Sequence, residues 1–473
     1  MRFFYRLKAT TLALFFLHTI IVFSCTYVFC SSYNCGGRHG GCENRLNREL
    51  MLQDPHKKAQ GSLENKEIYK SKEKETLPKH RHVKGNLRKP ANNAFIFAGG
   101  AGCPIIQSPL IDYLSPDVRA SLTVREKILA LSNQNDIIPI EDFFTPVMKR
   151  TLQKLGEGVF GEVFSCYTPE GDGLAVKIMP IEGKELINDE KQKTFEEILP
   201  EMVISKELSH LGQSEDARYY TKNFVQLYKL GIGKGKYPEF LINAWDNWDE
   251  KEESDNDRPD VFSPKQLYVM FAFENSGCAL EAFTFHSKRE AMSVLAQIAA
   301  TLAVGEAALK FEHRDMHRGN ILVRRTKEEK MVFVIDSHKY VLPSEGVHVT
   351  VIDYTLSRLS QGSCTSYNDL NNLPWLFKGH GGIQHDTYLR MRNATKSDWS
   401  KFAPRTNACW LYYIVNKMAI KSRVKYVTRA QIQAAFEPLV NQFLNYDSAK
   451  DIFLEYFSNP SPLSFESKKL KRN

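Results

Sequence analysis

No Cys-x-x-Cys pair occurs in this chain, and its nine cysteines are an odd number spread over 473 residues. That excludes the usual zinc-binding spacings and argues against a small disulfide-stapled scaffold. Cys25, Cys30, Cys35 and Cys42 crowd the front, while Cys103, Cys166, Cys278, Cys364 and Cys409 are scattered, a pattern of reduced, intracellular thiols for the main body. An excess of charge of one sign is also lacking beyond the front segment. Residues 1–90 hold 17 Lys/Arg against 7 Asp/Glu, which more than accounts for the net charge of +8. The rest is nearly neutral, carries no direct nucleic-acid motif, and reads as an ordinary globular body. Its apolar content of 42 % suffices for a sizeable packed core.

Thr10 to Cys30 is a 21-residue apolar run without Lys, Arg, Asp or Glu, preceded by Arg2, Arg6 and Lys8. A charged start followed by an apolar run fits a signal anchor or a signal peptide, and the length favours the anchor. A buried helix or a misassigned start are the alternatives. Basic residues on both flanks leave the orientation open. Residues 44–92 are poor in apolar side chains and rich in Lys, Glu and Asn, the composition of a disordered stretch. Such a basic tail suits nucleic acid, an acidic membrane surface, or nothing beyond a solvated linker. Folded structure is expected to begin between Phe95 and Ile138.

Thr151–Phe164 reads TLQKLGEGVFGEVF, in which Gly156, Gly158 and Gly161 form G-x-G-x-x-G followed by Val163. Glycines let a backbone turn tightly and approach a phosphate. A dinucleotide-binding oxidoreductase would place a helix after the last glycine. EVFSCY follows instead, a second strand, which points to a β-hairpin over a phosphate. Sixteen residues beyond Gly161, Lys177 lies inside the apolar strand LAVKIM. A lysine there needs an anionic partner. Glu201 is the candidate, 24 residues on, in FEEILPEMVISKEL with a roughly helical apolar stripe; Pro200 before it implies that the helix begins or bends there.

Phe311–Val323 reads FEHRDMHRGNILV, matching the H-R-D-x-x-x-x-N loop of protein kinases with Asp315 and, five residues later, Asn320. In the general kinase scheme this aspartate accepts the substrate hydroxyl proton and the asparagine holds magnesium. Asp353 closes the apolar run of VTVIDYTLSRL, where Asp-Tyr-Thr replaces the usual Asp-Phe-Gly. With Asn320 it supplies the oxygen ligands magnesium requires. Asp336, in VFVIDSHKY, also ends an apolar run and is the weaker alternative.

Together GEGVFGEVF, AVKIMPIEG, QKTFEEILPEMVISKEL, NDRPD, FEHRDMHRGN and VIDYTLSRL resemble the haspin family of serine/threonine kinases over about two thirds of the chain. The resemblance implies an α+β, bilobal fold with a small β-rich lobe and a larger, mainly helical one. It implies ATP and Mg2+ as cofactors, transfer to a protein hydroxyl, and activity without activation-loop phosphorylation. The latter agrees with the lack of an A-P-E motif, Ala403-Pro404-Arg405 standing in the region. By the same resemblance Leu155, Gly156, Glu157, Gly158, Val159, Phe160, Gly161 and Val163 cover the phosphates, and Lys177 and Glu201 form an ion pair. Phe273 is the gatekeeper, and Glu274, Asn275, Ser276 and Gly277 form the adenine-binding hinge. His317 flanks the substrate hydroxyl, and Arg318 stands where a tryptophan is usual. The family lines its groove with carboxylates for a basic histone tail. Glu157 and Glu281 remain, but Ala279, His380 and Gly382 occupy positions where aspartates are frequent, so a histone tail is expected to bind weakly. The resemblance places the protein in nucleus or cytoplasm, whereas residues 10–30 suggest membrane association. The implied map is 1–31 apolar segment, 32–92 basic region, 93–148 extension, and 149–473 kinase-like domain. The alternative is a pseudokinase or nucleotide-binding docking module.

Overall fold

In the computed structural model, residues 122–459 are described, except 379, 380 and 441. The sequences discussed above for residues 10–30 and 44–92, and His380, fall outside them. The first described helix, α1 (Val124–Leu131), opens on a capping box in which Thr123 and Glu126 each accept from the other's backbone N–H. A two-residue strand β1 (Ile138–Pro139) and a short helix α2 (Pro146–Thr151) follow. The extension therefore contributes to the first lobe: β1 pairs in parallel with β5 at the edge of its sheet.

That sheet contains β2 (Gln153–Gly158), β3 (Gly161–Tyr167), β4 (Gly173–Ile181), β5 (Leu227–Lys234) and β6 (Leu267–Glu274), in the order β1-β5-β6-β4-β3-β2. Strand period two decides what each face carries. Val176 and Ile178 of β4 join Phe164, Tyr268 and Met270 on one face, and Lys177 and Met179 turn to the other. Against this second face packs α3 (Phe195–His210), through Ile198 and Met202 onto Met179, Val269 and Phe271. The sequence pattern implied a helix that starts or bends at Pro200. In the structure α3 begins five residues earlier, because Thr194 and Glu197 form a capping box, and Pro200 lies within it. A second helix of this lobe, α4 (Glu239–Glu252), buries Leu241, Ile242, Ala244 and Trp245.

The larger lobe is built around α5 (Lys288–Leu309), which is apolar on nearly all sides and buried over most of its length. It is long and apolar enough to span a bilayer, but its surroundings are the protein core. Short strands β7 (Cys278–Ala279), β8 (Thr284–Phe285), β9 (Ile321–Arg325), β10 (Lys330–Ile335), β11 (His338–Pro343) and β12 (Val347–Val351) precede and follow it. β9 lies between β7 and β12, so the loops entering β9 and leaving β12 emerge side by side. A hairpin of β13 (Arg358–Gln361) and β14 (Cys364–Tyr367) comes next, then helices α6 (Ile383–Thr395), α7 (Arg405–Lys421), α8 (Arg429–Val440) and α9 (Ala449–Tyr456). The result is the two-part α+β arrangement: a sheet lobe joined at the end of β6 to a mainly helical one.

Candidate active site

Lys177 leaves the covered face of β4 and meets Glu201 of α3, Nζ to Oε1, at 2.8 Å. The other carboxylate oxygen of Glu201 accepts from the Thr355 hydroxyl at 3.1 Å. Glu201 is thus held from both sides, by a strand of the first lobe and by the segment after β12. Asp353 follows β12 with φ of +61°, a left-handed conformation uncommon for a non-glycine residue. Its carboxylate lies 4.0 Å from Lys177 Nζ and accepts from the Thr355 backbone N–H. Burial alone would push the Asp353 carboxyl up, but Lys177, the Thr355 hydrogen bonds and Lys193 outweigh it and hold it well below the usual carboxylate range.

Lys193 was not singled out by the sequence. Its buried ammonium lies 3.9 Å from Glu201 and 4.6 Å from the centre of the Phe160 ring at the tip of the glycine hairpin, with no hydrogen-bond partner among the described residues. Burial pulls its pKa down, and Glu201 opposes that shift.

The loop before β9 is fixed from below. His313 is fully buried; its Nε2 donates to the Ile352 carbonyl and its Nδ1 accepts from the Asp315 N–H. Burial lowers its pKa to about 4, so it is neutral. Arg314, with φ of +66°, buries its guanidinium against Glu312 through two contacts of 3.2 Å and donates to the Trp399 carbonyl. These anchors set the backbone that presents Asp315. The Asp315 carboxylate accepts from the Tyr388 hydroxyl of α6 at 2.5 Å and stands 4.0 Å from His317 Nε2. Burial raises its pKa, with His317 and Tyr388 opposing. His317 Nδ1 accepts from the Gly319 N–H, which leaves the proton on Nε2, the side of Asp315. Asn320 donates its amide to the Asp315 carbonyl, and the Ile352 N–H donates to the Asn320 carbonyl, tying this loop to the strand end that carries Asp353.

Among the described residues no group of three or more His, Cys, Asp or Glu forms a metal site. One ionised carboxylate, Asp353, and one amide oxygen, Asn320, do fit magnesium, which takes few protein oxygens and completes its shell with phosphate and water. Asp336 does not belong to the cleft. It sits in the β10–β11 turn, where Arg218, Tyr219 and Lys450 donate to it.

At the lobe junction Phe273 stacks on Phe271 with ring centroids 5.7 Å apart and contacts the cores of both lobes. The Glu274 and Asn275 N–H groups donate to Gln226 and Gly173, so they serve the fold, while Ser276 is buried and its hydroxyl reaches the Glu274 carbonyl at 3.4 Å. Gly277 has φ of +106°, and a Cβ there would lie 2.6 Å from the Val323 carbonyl oxygen. In the glycine hairpin, Gly161 is demanded by the sheet: its Cβ would meet the Ile178 carbonyl oxygen at 2.1 Å. Leu155 is buried within β2, the first strand of the hairpin, whose turn holds Val159 and Phe160, and the backbone of Gly156 pairs with Val163.

Glu157 corrects the sequence reading. Its carboxylate is buried and bound to Lys154 Nζ at 2.6 Å, Ser254 Oγ at 2.6 Å and the Asp255 N–H at 2.8 Å, so it does not line a groove. A cavity of about 470 Å³ on this outer side, bordered by Glu162, Ile178 and Tyr237, lies on the strand face opposite Lys177. Ala279 is also buried, in β7, and Gly382 precedes α6 with φ of +95°. Glu281 faces Arg318 at 3.7 Å.

Compared with known proteins, residues 60–454 match the family model of the haspin-like kinase domain. Over 355 residues the chain is 38 % identical to the serine/threonine-protein kinase haspin of Mus musculus, covering 74 % of this chain and 46 % of that protein. It is 38 % identical over 307 residues to the haspin homolog of Drosophila melanogaster, covering 64 % and 54 % respectively. For the Arabidopsis thaliana homolog the identity is 33 % over 363 residues, covering 71 % and 59 %. The chain thus spans about half the length of the curated relatives it matches.

Proposed function

Because the chain belongs to the haspin-like kinase family, we propose that it transfers the γ-phosphate of ATP to a serine or threonine hydroxyl of a protein. The observation that carries this reading is the convergence of Lys177, Glu201, Asp353 and the Asp315–Asn320 loop from four separate chain segments on one cleft. In this reading the hydroxyl oxygen attacks the γ-phosphorus, the bond to the bridging oxygen of ADP breaks, and the hydroxyl proton passes to Asp315. Lys177, oriented by Glu201, neutralises phosphate charge. The backbone of Gly156–Val163 covers the phosphates, and the Glu274–Gly277 hinge receives adenine. His317 flanks the acceptor hydroxyl. Asp353 and Asn320 would hold magnesium, which when bound supplies further charge neutralisation at the phosphate oxygens.

The relatives are serine/threonine-protein kinases by name, which supports a protein substrate, and the resemblance brings a basic histone tail as the first candidate. Glu157 is sequestered and Glu281 is matched by Arg318, so we infer that such a tail is a poor substrate for this chain. The test incubates the full chain with ATP, magnesium and a mixed Ser/Thr peptide library, with phosphopeptides read by mass spectrometry. New phosphoserine or phosphothreonine that vanishes with Lys177→Ala supports transfer. ATP binding with no product on any peptide contradicts it and favours the docking-module alternative.

A further inference from the structure

Phosphoryl transfer as read above gives no task to Arg318. It lies three residues past Asp315 and one past His317, and its guanidinium reaches Glu281 of the β7–β8 segment at 3.7 Å. That is Coulombic range, too long for a hydrogen bond. Each partner keeps an orphan: Arg318 Nε and Glu281 Oε1 are buried and make no hydrogen bond among the described residues. Buried polar atoms are almost always paired, so an orphan on each member of this pair, beside a reactive carboxylate, calls for an explanation. Tyr413 of α7 is in hydrogen-bond contact with the Arg318 side chain and close enough to Glu281 and Asp315 to feel their charge, which ties the pair to the cleft.

The surrounding charge is net positive. Lys417, one turn along α7, holds its ammonium 5.6 Å from the centre of the Tyr413 ring. Its pKa is pulled down by burial and then by the neighbouring charges of Arg318 and Lys421. Arg318, Lys417 and Lys421 therefore set three cations at this corner against two carboxylates, Asp315 and Glu281, the latter with its own pKa pushed up by burial.

We propose that Arg318 is a specificity-determining residue that takes an anionic side chain of the protein substrate next to the acceptor hydroxyl, with Glu281 balancing the guanidinium until that side chain arrives. The anion is Asp or Glu, or a residue phosphorylated beforehand, since both offer oxygens to the guanidinium, whose side chain is 19 % exposed. This rests on the reading of the cleft as a kinase site, which places the substrate beside Asp315.

The test uses the full chain and fluorescent peptides with one central threonine, identical except for flanks of Glu, phosphoserine, Gln or Arg. Affinity is read by anisotropy and transfer by phosphopeptide yield. Anionic flanks should bind at least about tenfold more tightly than Gln flanks, the scale of one hydrogen bond to a charged group, and Arg flanks more weakly still. Whether Glu or phosphoserine binds better identifies the source of the anion. Arg318→Gln should abolish the preference, Arg318→Lys should keep part of it, and Glu281→Gln should strengthen it. Equal or tighter binding of the Gln or Arg peptides by the native chain overturns the proposal, as does an anionic preference that survives in Arg318→Gln. Should Arg318→Gln fail to fold, the native chain and Glu281→Gln still decide. Arg318-dependent anionic binding without transfer would refute the kinase reading and leave this specificity standing.

Discussion

At Asp315 two demands meet, since the general base of the proposed transfer must be ionised yet sits where burial resists ionisation. Burial raises its pKa, and the Tyr388 hydrogen bond and His317 oppose that rise. A base works when deprotonated, so turnover should be present above the Asp315 pKa and lost as pH falls through it. Tyr388→Phe removes a contact that favours the ionised form, so the acid limb of the kcat–pH profile should move to higher pH. An unmoved or downward-shifted limb would show that Tyr388 does not tune the base. Asp315→Asn should abolish turnover and leave ATP affinity, by calorimetric titration with magnesium, within a few-fold of native. A tenfold loss of affinity would mean that Asp315 holds the nucleotide. Residues such as Asp315, Asn320 and Lys177 were legible because chemistry and spacing within one short segment define them. Tyr388, 73 residues from Asp315, and Lys193 gave no such signal, because tertiary packing alone brings them to the cleft. Glu157 was misread for the same reason: its partners Ser254 and Asp255 lie about a hundred residues away.

The segment after β12 shows how an element can be held in place by its own side chains. Tyr354 is buried, with its hydroxyl on the Val351 carbonyl and its ring edge-on to Phe224, Phe311 and His313. Thr355 fastens the same segment to Glu201, and Gln361 of β13 donates to Glu207 two turns further along α3. In the H-R-D loop, Arg314 already has a carboxylate partner in Glu312, which also accepts from the Ala403 N–H and the Thr406 hydroxyl at the start of α7. That gives the Arg314 charge a buried counterion without an added phosphate, while its Nη1 makes no hydrogen bond among the described residues. Protein shown by mass spectrometry to be unphosphorylated after phosphatase treatment should therefore turn over at the untreated rate, and a large drop would contradict this. Glu312→Ala would strand the buried Arg314 charge and should cost about 3–5 kcal/mol of stability, read from the urea midpoint. The sequence showed the Asp-Tyr-Thr string and the lack of A-P-E, but not which hydroxyl or carboxylate replaces the missing functions. Likewise Pro200 suggested a helix boundary, yet the Thr194–Glu197 capping box fixes the start of α3 earlier.

On the scale of the molecule, the lobe junction brings a sheet and a helical body together so that β4, α3, the loop before β9 and the end of β12 share one cleft. The two-lobe α+β fold was legible from the order of motifs, because the glycine hairpin and strand lysine precede the helical region that carries H-R-D. The contribution of α1 and β1 was not, since a two-residue edge strand has no periodicity to read. For residues 10–30, outside the described part, we propose membrane association. Full-length protein should stay in the pellet after a carbonate wash while a chain beginning at Phe95 is soluble, and recovery of both in the supernatant would dismiss the anchor. The central claim is that this cleft transfers phosphate by charge neutralisation at Lys177 and Asp353. Single-turnover transfer from ATP to a threonine peptide, compared among native chain, Lys177→Ala and Asp353→Asn, tests it most directly. Each substitution should slow the chemical step about a hundredfold or more, the ~2.7–4 kcal/mol that one preorganised electrostatic contact contributes; a rate near native in either variant would contradict the assignment.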